Sequence, residues 1–100
     1  MSMSKSEAGL TLALIARIPI AGLASFLDYE ARVLPILGEH GGTLQRRLRS
    51  AGGSTEIHLV HFDTRAGFES FRDDPRRAAA SHLLASSGAV TEVIEVQDVD

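Results

Sequence analysis

The sequence predicts an α+β domain in which four antiparallel strands form one sheet and helices cover one of its faces. Three observations support this prediction. Four segments have the length of strands, two segments have apolar residues at helical spacing, and clusters of glycine, proline or serine separate them. The segments follow one another in the order βαββαβ.

The first half of the chain contains a buried strand and a long helix. Residues 10–18 form a short apolar run, which is typical of a buried strand. Residues 22–39 carry apolar side chains at helical spacing, with charged side chains between them. Pro35 removes an internal hydrogen bond, so we expect a kink or a break near residues 32–34. The glycine pair 41–42 then ends the helix, with one glycine suited to the left-handed position.

A hairpin and a second helix follow. Residues 43–50 and 55–62 are predicted to be the second and third strands, joined by a glycine-containing turn. Asp63 or Thr64 is expected to cap a helix over residues 65–73, because a short polar side chain there can accept a hydrogen bond from a free amide.

The remaining segments complete the predicted domain. An aspartate–proline pair interrupts the second helix, residues 76–85 form further helical turns, and residues 89–96 form the fourth strand. The order is that of the ferredoxin-like, split-βαβ arrangement. Residues 10–100 are therefore predicted to be one domain, preceded by a flexible N-terminal tail over residues 1–9.

The sheet is expected to bury part of its second face as well. The first strand is apolar at consecutive positions over residues 12–16, and the fourth strand has Val90, Val93, Ile94 and Val96 on both sides. A sheet with one face in water alternates apolar and polar residues instead. In so small a chain, a second copy of the same protein is the expected cover, so a homodimer through the sheet face is predicted.

Composition excludes several classes of function. The chain has 44% hydrophobic residues, 23% charged residues and a net charge of −3, so it is expected to be globular and not a general nucleic-acid binder. It has no cysteine, which excludes disulfides, thiolate catalysis and iron–sulfur clusters and fits a cytoplasmic protein. No apolar run approaches the length of about 20 residues that crosses a membrane, so no membrane partner is expected.

Alternation along each predicted strand assigns candidate side chains to a face of the sheet. On the third strand, His58 is expected to face the helices and His61 the opposite side. On the second strand, Leu44, Arg46 and Leu48 are expected to face the helices. The side chains expected to point away from the helices on the first and second strands are Arg17, Arg47 and Arg49.

Arg17, Arg47 and His61 are therefore predicted to share one face and to form a site. His61 could serve in general acid–base chemistry there, because the ordinary pKa of histidine lies near neutrality. Arg47 could hold a carboxylate or phenolate through two hydrogen bonds.

Two further candidates lie on the first helix. His40 stands at its C-terminal end, where the helix dipole favours a protonated imidazole; a contact with a ligand is the alternative role. Tyr29 follows Phe26 by three residues, so it lies at the edge of the core or reaches a cleft with its hydroxyl. No metal site is expected, because His58 and His61 point to opposite faces and cysteine is absent.

Four segments resemble a known superfamily. They are VLPILGEHGG at the helix end, TLQRRLRS and TEIHLVHFDT in the hairpin, and DDPRR after the second helix. With the element order, they make residues from about 10 to 96 similar to the dimeric α/β-barrel superfamily, nearest to its DUF1330-like uncharacterised members. The resemblance implies that two protomers pack sheet against sheet. It also implies that a ligand lies in a cleft between sheet and helices or within the barrel.

The resemblance leaves two kinds of function open. One is a protein that binds a small metabolite in the cleft, with no cofactor. The other is a cofactor-free monooxygenase or isomerase acting on an aromatic or lactone-like metabolite, with His61 or His40 as the base beside Tyr29. DUF1330-like proteins often carry a carboxylate just before the phenylalanine of the third strand, where this chain has His61.

Overall fold

The fold was described from a computed structural model that covers residues 9–99. Apart from Gly9, the predicted N-terminal tail lies outside these residues. The elements, in chain order, are β1 (Leu10–Arg17), a 3₁₀ turn (Ile20–Gly22), α1 (Leu23–Val33), a 3₁₀ segment (Leu34–His40), β2 (Gly42–Arg49), β3 (Thr55–Phe62), α2 (Arg65–Arg72), α3 (Pro75–Ser87) and β4 (Val90–Val96).

The four strands form one antiparallel sheet in the order β2-β3-β1-β4. The helices pack on one face, which we call the inner face, and the other is the outer face. This is the predicted ferredoxin-like α+β fold, which is therefore confirmed.

The core between the inner face and the helices consists of two apolar clusters. The first contains Leu10, Leu12, Leu37, Val60 and Phe62 and is covered by α2 and the 3₁₀ segment. The second joins β1 to α1 and α3; its buried members are Ala16, Ile18 and Phe26. The space between the two clusters is where the cavity described below lies.

The predicted helix break is confirmed. α1 ends at Val33, and the chain continues as the 3₁₀ segment, whose second residue is Pro35. Proline cannot donate the hydrogen bond that a continuous α-helix needs at this point. Gly41 then ends the segment with a φ of 74°, the left-handed conformation that glycine adopts without strain.

Polar side chains cap the starts of α2 and α3. The Thr64 hydroxyl accepts a hydrogen bond from the amide of Gly67 at 2.9 Å and so caps α2. The Asp74 carboxylate accepts from the amide of Arg76 at 2.8 Å and caps α3, which is longer than predicted and continues to Ser87.

Strand β2 departs from the predicted alternation. Leu44 lies opposite Val60, as regular pairing requires, but the next paired residue is Arg46, which lies opposite Leu59. Gln45 is therefore an extra residue in the ladder, a β-bulge.

The bulge reverses the faces of the rest of β2. Arg47 lies opposite His58 and Arg49 opposite Glu56, so both guanidinium groups are on the inner face. The prediction placed them on the outer face and is wrong, because one extra residue shifts the alternation by one position. The residues that were expected on the inner face and instead lie on the outer face are Arg46 and Leu48.

Within residues 9–99, no helix has the length and apolar character needed to cross a membrane.

Candidate functional site

A cavity of about 540 Å³ lies between the inner face and the helices. This volume falls within the range of about 300–1,000 Å³ that is common for small-molecule sites. Its wall is largely apolar and includes residues of β1, β3, β4 and all three α-helices. The polar or charged residues in the wall are Tyr29, Glu30, His58, Arg72, Arg77, Thr91 and Glu95.

One side of the cavity adjoins a group of five charged or titratable residues, which we call the ion cluster: Glu30, Arg47, Arg49, Glu56 and His58. Glu30, Glu56 and His58 are buried, with exposed fractions of 3%, 0% and 4%. Buried charges are stable only when they are paired and hydrogen-bonded.

Two arginines supply this pairing from β2. The Arg47 Nε donates to Glu56 at 2.6 Å, and its Nη2 donates to Glu30 at 2.8 Å. Arg49 donates to the second oxygen of Glu56 through Nε at 3.1 Å and Nη2 at 3.0 Å. The β-bulge is what makes these contacts possible, because it turns both guanidinium groups inward.

His58 completes the ion cluster from β3. Its Nε2 lies 2.7 Å from Oε1 of Glu56 and 2.9 Å from Oε2 of Glu30. One N–H can point well at only one of these oxygens, and Oε2 of Glu30 accepts no hydrogen bond from the described residues. Both carboxylates hold Nε2 as the protonated nitrogen of the ring, and Nδ1 has no hydrogen-bond partner within residues 9–99.

The ion cluster shifts the pKa values of its members. Burial disfavours the ionised form of Glu56, but contacts with Glu30, His58 and the two arginines outweigh it and lower its pKa to about 2. Burial also disfavours the charged form of His58, yet the two carboxylates outweigh burial and raise its pKa. The Glu56 hydrogen bond raises the pKa of Arg47.

The donor atoms of Glu30, Glu56 and His58 lie within 4.8 Å of one another, a spacing that a metal ion could bridge. However, Arg47 and Arg49 already donate to both carboxylates and add positive charge beside them. This donor set suits a charge-paired cluster better than a cation site, so the expectation of no metal site stays a prediction.

Tyr29 is the predicted ligand-binding residue that lies in the cavity wall. Its hydroxyl oxygen accepts a hydrogen bond from Nη2 of Arg77 at 3.2 Å. The Arg77 guanidinium also lies 4.8 Å from the centre of the Phe71 ring, which fixes it against α2. With one lone pair engaged, the Tyr29 hydroxyl can still donate its own proton to a ligand.

The predicted pairing of Arg47 with His61 is wrong. His61 is on the outer face, where its Nδ1 lies 3.1 Å from the hydroxyl of Thr11, while Arg47 is on the inner face. Arg17 does share the outer face with His61, but Arg17 ends β1 while His61 of β3 lies opposite Thr11, near the start of β1. Six residue-to-residue steps along the strand, about 20 Å, separate Arg17 from Thr11. Arg17 lies 3.9 Å from the exposed Glu92.

His40 joins helices and does not line the cavity. Its two ring nitrogens lie 2.9 Å from the Asp74 carboxylate and 2.9 Å from the Ser70 hydroxyl. These contacts connect the 3₁₀ segment to α2 and to the start of α3.

Sequence reasoning missed the acidic members of the ion cluster, although both carried a signal. Glu30 follows the buried Phe26 by four residues, so it lies on the apolar stripe of α1. Glu56 alternates with His58 and Val60, so it lies on the buried face of β3. A charged residue at a core position needs a partner, and this requirement could have drawn attention to both.

Comparisons with known proteins agree with the fold. One similar solved structure is SnoaB, a cofactor-independent oxygenase from Streptomyces nogalater, with 13% identity, a TM-score of 0.76 and coverage of 93% of this chain and 95% of that chain. Another is an uncharacterised NIPSNAP domain protein from Burkholderia xenovorans, with 16% identity, a TM-score of 0.69 and coverage of 90% and 94%.

A third similar structure is a candidate antibiotic biosynthesis monooxygenase from Caulobacter crescentus, with 16% identity, a TM-score of 0.67 and coverage of 94% of each chain. No protein-family model matches the sequence, and no curated protein matches it. At these identities the likeness extends to the fold that this chain shares with monooxygenase-type and NIPSNAP-type proteins, and the DUF1330-like assignment is not confirmed.

Proposed function

We propose that this protein binds a small, largely apolar organic molecule in the cavity between the sheet and the helices. The cavity itself carries the proposal: about 540 Å³ of space with a mainly apolar wall and few polar groups. This combination is typical of sites that recognise an apolar body and orient it through one or two hydrogen bonds.

The polar groups available for orientation differ from those predicted. Tyr29 stays a proposed ligand contact, since it lies in the wall. Arg47 is proposed to act indirectly: it holds the wall residue Glu30 through a hydrogen bond. Arg17, His40 and His61 lie elsewhere, so for this cavity we propose His58 in the place that His61 was predicted to take.

Tyr29 provides a direct test of binding. The chain has 1 tyrosine and 0 tryptophans, so its intrinsic tyrosine fluorescence reports on the cavity wall alone. We expect a ligand in the cavity to change this fluorescence in a saturable manner.

A cavity-blocking variant identifies the binding site. Val93→Phe places a ring in the cavity wall, where it should abolish the fluorescence change. Val99→Phe is the matched control, because Val99 is 96% exposed and lies after β4. Equal binding by both variants would locate the ligand outside the cavity and contradict the proposal.

A second candidate function is proton abstraction from the bound molecule, as in a cofactor-free monooxygenase or isomerase. The observation that favours it is the hydrogen bonding of His58, whose Nε2 is held by carboxylates while Nδ1 is free of described partners. Above its raised pKa the imidazole is neutral, and with Nε2 held as the protonated nitrogen, Nδ1 is then the nitrogen that can act as a base. Deuterium exchange from solvent into 2-tetralone, followed by NMR, tests it: His58→Gln should lose the exchange and His82→Gln should retain it.

The protein is also proposed to form a homodimer through the outer face of its sheet. The central strands present Ala13, Ile15, Ile57 and Leu59 there, all only partly buried within one chain. On the edge strands, Leu48, Val90 and Ile94 add exposed apolar surface, with exposed fractions of 42%, 65% and 41%. A contiguous apolar surface of this kind favours a partner of the same shape.

Two finer predictions from the sequence remain proposals. They are the affiliation with DUF1330-like proteins and the cytoplasmic location, which rests on the absence of cysteine. Imaging of a fluorescent fusion in the source cell tests the location.

A further inference from the structure

The surroundings of the cavity differ in charge from the protein as a whole. The full chain has a net charge of −3. Among the charged residues that line the cavity or pair with its wall, the acidic ones are Glu30, Glu56, Asp73 and Glu95. The basic ones, with His58 protonated, are Arg47, His58, Arg65, Arg72 and Arg77. Positive groups therefore outnumber negative groups around this one site.

The imbalance is most consequential in the ion cluster, where Glu30, Glu56 and His58 are buried. There the carboxylates of Glu30 and Glu56 face the guanidinium groups of Arg47 and Arg49 and the imidazole of His58. With His58 protonated, three positive charges oppose two negative charges. Charge that is not balanced in a region of low dielectric attracts an opposite charge strongly.

The hydrogen bonds of His58 leave one nitrogen of a ring in the cavity wall available for that attraction. Its Nε2 is occupied by Glu56 and Glu30, and the ring forms part of the cavity wall. A protonated imidazole has a second N–H, on Nδ1, and this N–H has no acceptor among the described residues. A ligand oxygen is the natural acceptor.

We propose that the cavity takes its ligand as an organic anion, a carboxylate, phenolate or enolate on an apolar ring, whose oxygen accepts a hydrogen bond from Nδ1 of protonated His58. This inference rests on the proposed function, because it assumes a ligand in the cavity. It adds the chemical class of that ligand and the residue that selects it.

The charged groups around His58 support the protonated form. Glu30 on α1 and Glu56 on β3 raise the pKa of His58 despite its burial, while Arg47 on β2 reaches both carboxylates. The charged or titratable groups elsewhere in the cavity wall are Tyr29, Arg72, Arg77 and Glu95. Affinity for an anion should therefore be highest below the raised pKa of His58 and should fall as the pH rises through it.

Acid and ester pairs test the inference. Benzoate, 1-naphthoate and 9-anthracenecarboxylate are compared with their methyl esters by isothermal titration calorimetry. We expect the acids to bind about tenfold or more tightly than their esters at pH 6, the effect of one hydrogen bond between charged groups. The ratio should fall toward 1 as the pH rises through the raised pKa of His58, because only the anions depend on the charge of His58.

Two variants test whether His58 is the residue responsible for the preference for acids over esters. His58→Gln keeps a polar side chain but no charge and should abolish the preference for acids. His82→Gln is the matched control, since His82 is exposed and hydrogen-bonds within its own helix to the carbonyl of Ala79. If His58→Gln fails to fold, the pH dependence of the ratio of acid to ester affinity in the wild-type protein decides whether His58 selects the anion.

The possible failures are distinguishable. Esters that bind as tightly as acids at every pH, and that Val93→Phe excludes, overturn the anion inference and leave the proposed function standing. No binding by any acid or ester overturns both. An acid preference that His58→Gln retains overturns the role of His58.

Discussion

Replacing Glu56 with glutamine tests the ion cluster at the residue with the most contacts. The Glu56 carboxylate accepts hydrogen bonds from Arg47, Arg49 and His58 at distances of 2.6–3.1 Å and is fully buried. Glutamine has nearly the same shape but no charge, and its amide nitrogen cannot accept a hydrogen bond. The substitution therefore leaves cationic donors without an acceptor and creates no cavity.

The contacts of the Glu56 carboxylate determine how much stability the substitution removes. Removing one partner from a buried ion pair costs about 3–5 kcal/mol. Arg47 and Arg49 have side-chain exposed fractions of 40% and 43%, so water can replace part of what they lose. We expect Glu56→Gln to lower the free energy of unfolding by about 2–4 kcal/mol at pH 7. For a domain of this size, each kcal/mol corresponds to a fall in melting temperature of about 4–8 °C.

Urea unfolding followed by far-ultraviolet circular dichroism measures this change. The matched control is Glu95→Gln, because Glu95 is half exposed and pairs with Arg65; its loss should cost less than about 1 kcal/mol. A loss for Glu56→Gln as small as that of the control would refute the reasoning, since the ion cluster would then contribute no more than a surface ion pair.

The pH dependence provides a second criterion for the same variant. Folding lowers the pKa of Glu56 from 4.5 to about 2, so its ionisation stabilises the folded state. This contribution is fully present above the unfolded pKa and is lost as the pH falls through the folded pKa. The difference between wild type and Glu56→Gln should therefore shrink between pH 4.5 and 2. A difference that stays constant over that range would exclude the carboxylate charge as its source.

Three further predictions concern other parts of the molecule. Leu48→Glu should convert the proposed dimer to a monomer in sedimentation velocity, and an unchanged sedimentation coefficient would argue against the outer-face interface. Gly22→Ala should lower the free energy of unfolding by about 1–3 kcal/mol, because its Cβ would lie 1.7 Å from the Ser87 carbonyl oxygen, whereas Gly38→Ala, with nothing within 4 Å, should not lower it. The ring resonances of His58 should titrate in NMR with a pKa above the ordinary histidine value of 6.5, and the stability that its protonation contributes should be present below that value and lost as the pH rises through the raised pKa.

The fold could be predicted because its signals are local. Pro35 breaks the first helix wherever that helix packs, and the free amides at the start of α2 need a cap such as Thr64 in any tertiary setting. Strand β3 alternates regularly between Thr55 and Phe62, so its inner and outer faces followed directly from the sequence. Each of these features depends on residues close together in the chain.

The site could be predicted only in part, because its main contacts depend on strand register. The sequence leaves Tyr29 either at the edge of the core or reaching a cleft, and Tyr29 lies in the cavity wall; its contact with a ligand stays a prediction. The faces of Arg47 and His61 depended on the number of residues in the β2 ladder, and periodicity alone does not locate a bulge. No turn residue such as glycine marks Gln45 as the extra one.

The bulge at Gln45 determines which side chains of β2 lie on each face of the sheet. In a regular β2, alternation would turn Arg47 and Arg49 to the outer face and would place Arg46 opposite His58 on the inner face. The two buried carboxylates would then face one arginine of β2 instead of two, and buried carboxylates need full pairing. The same regular strand would take Leu48 away from Ile57 and the outer face. The extra residue therefore adds a second arginine to the inner face and keeps Leu48 on the outer face, so the ion cluster and the proposed interface depend on the same irregularity.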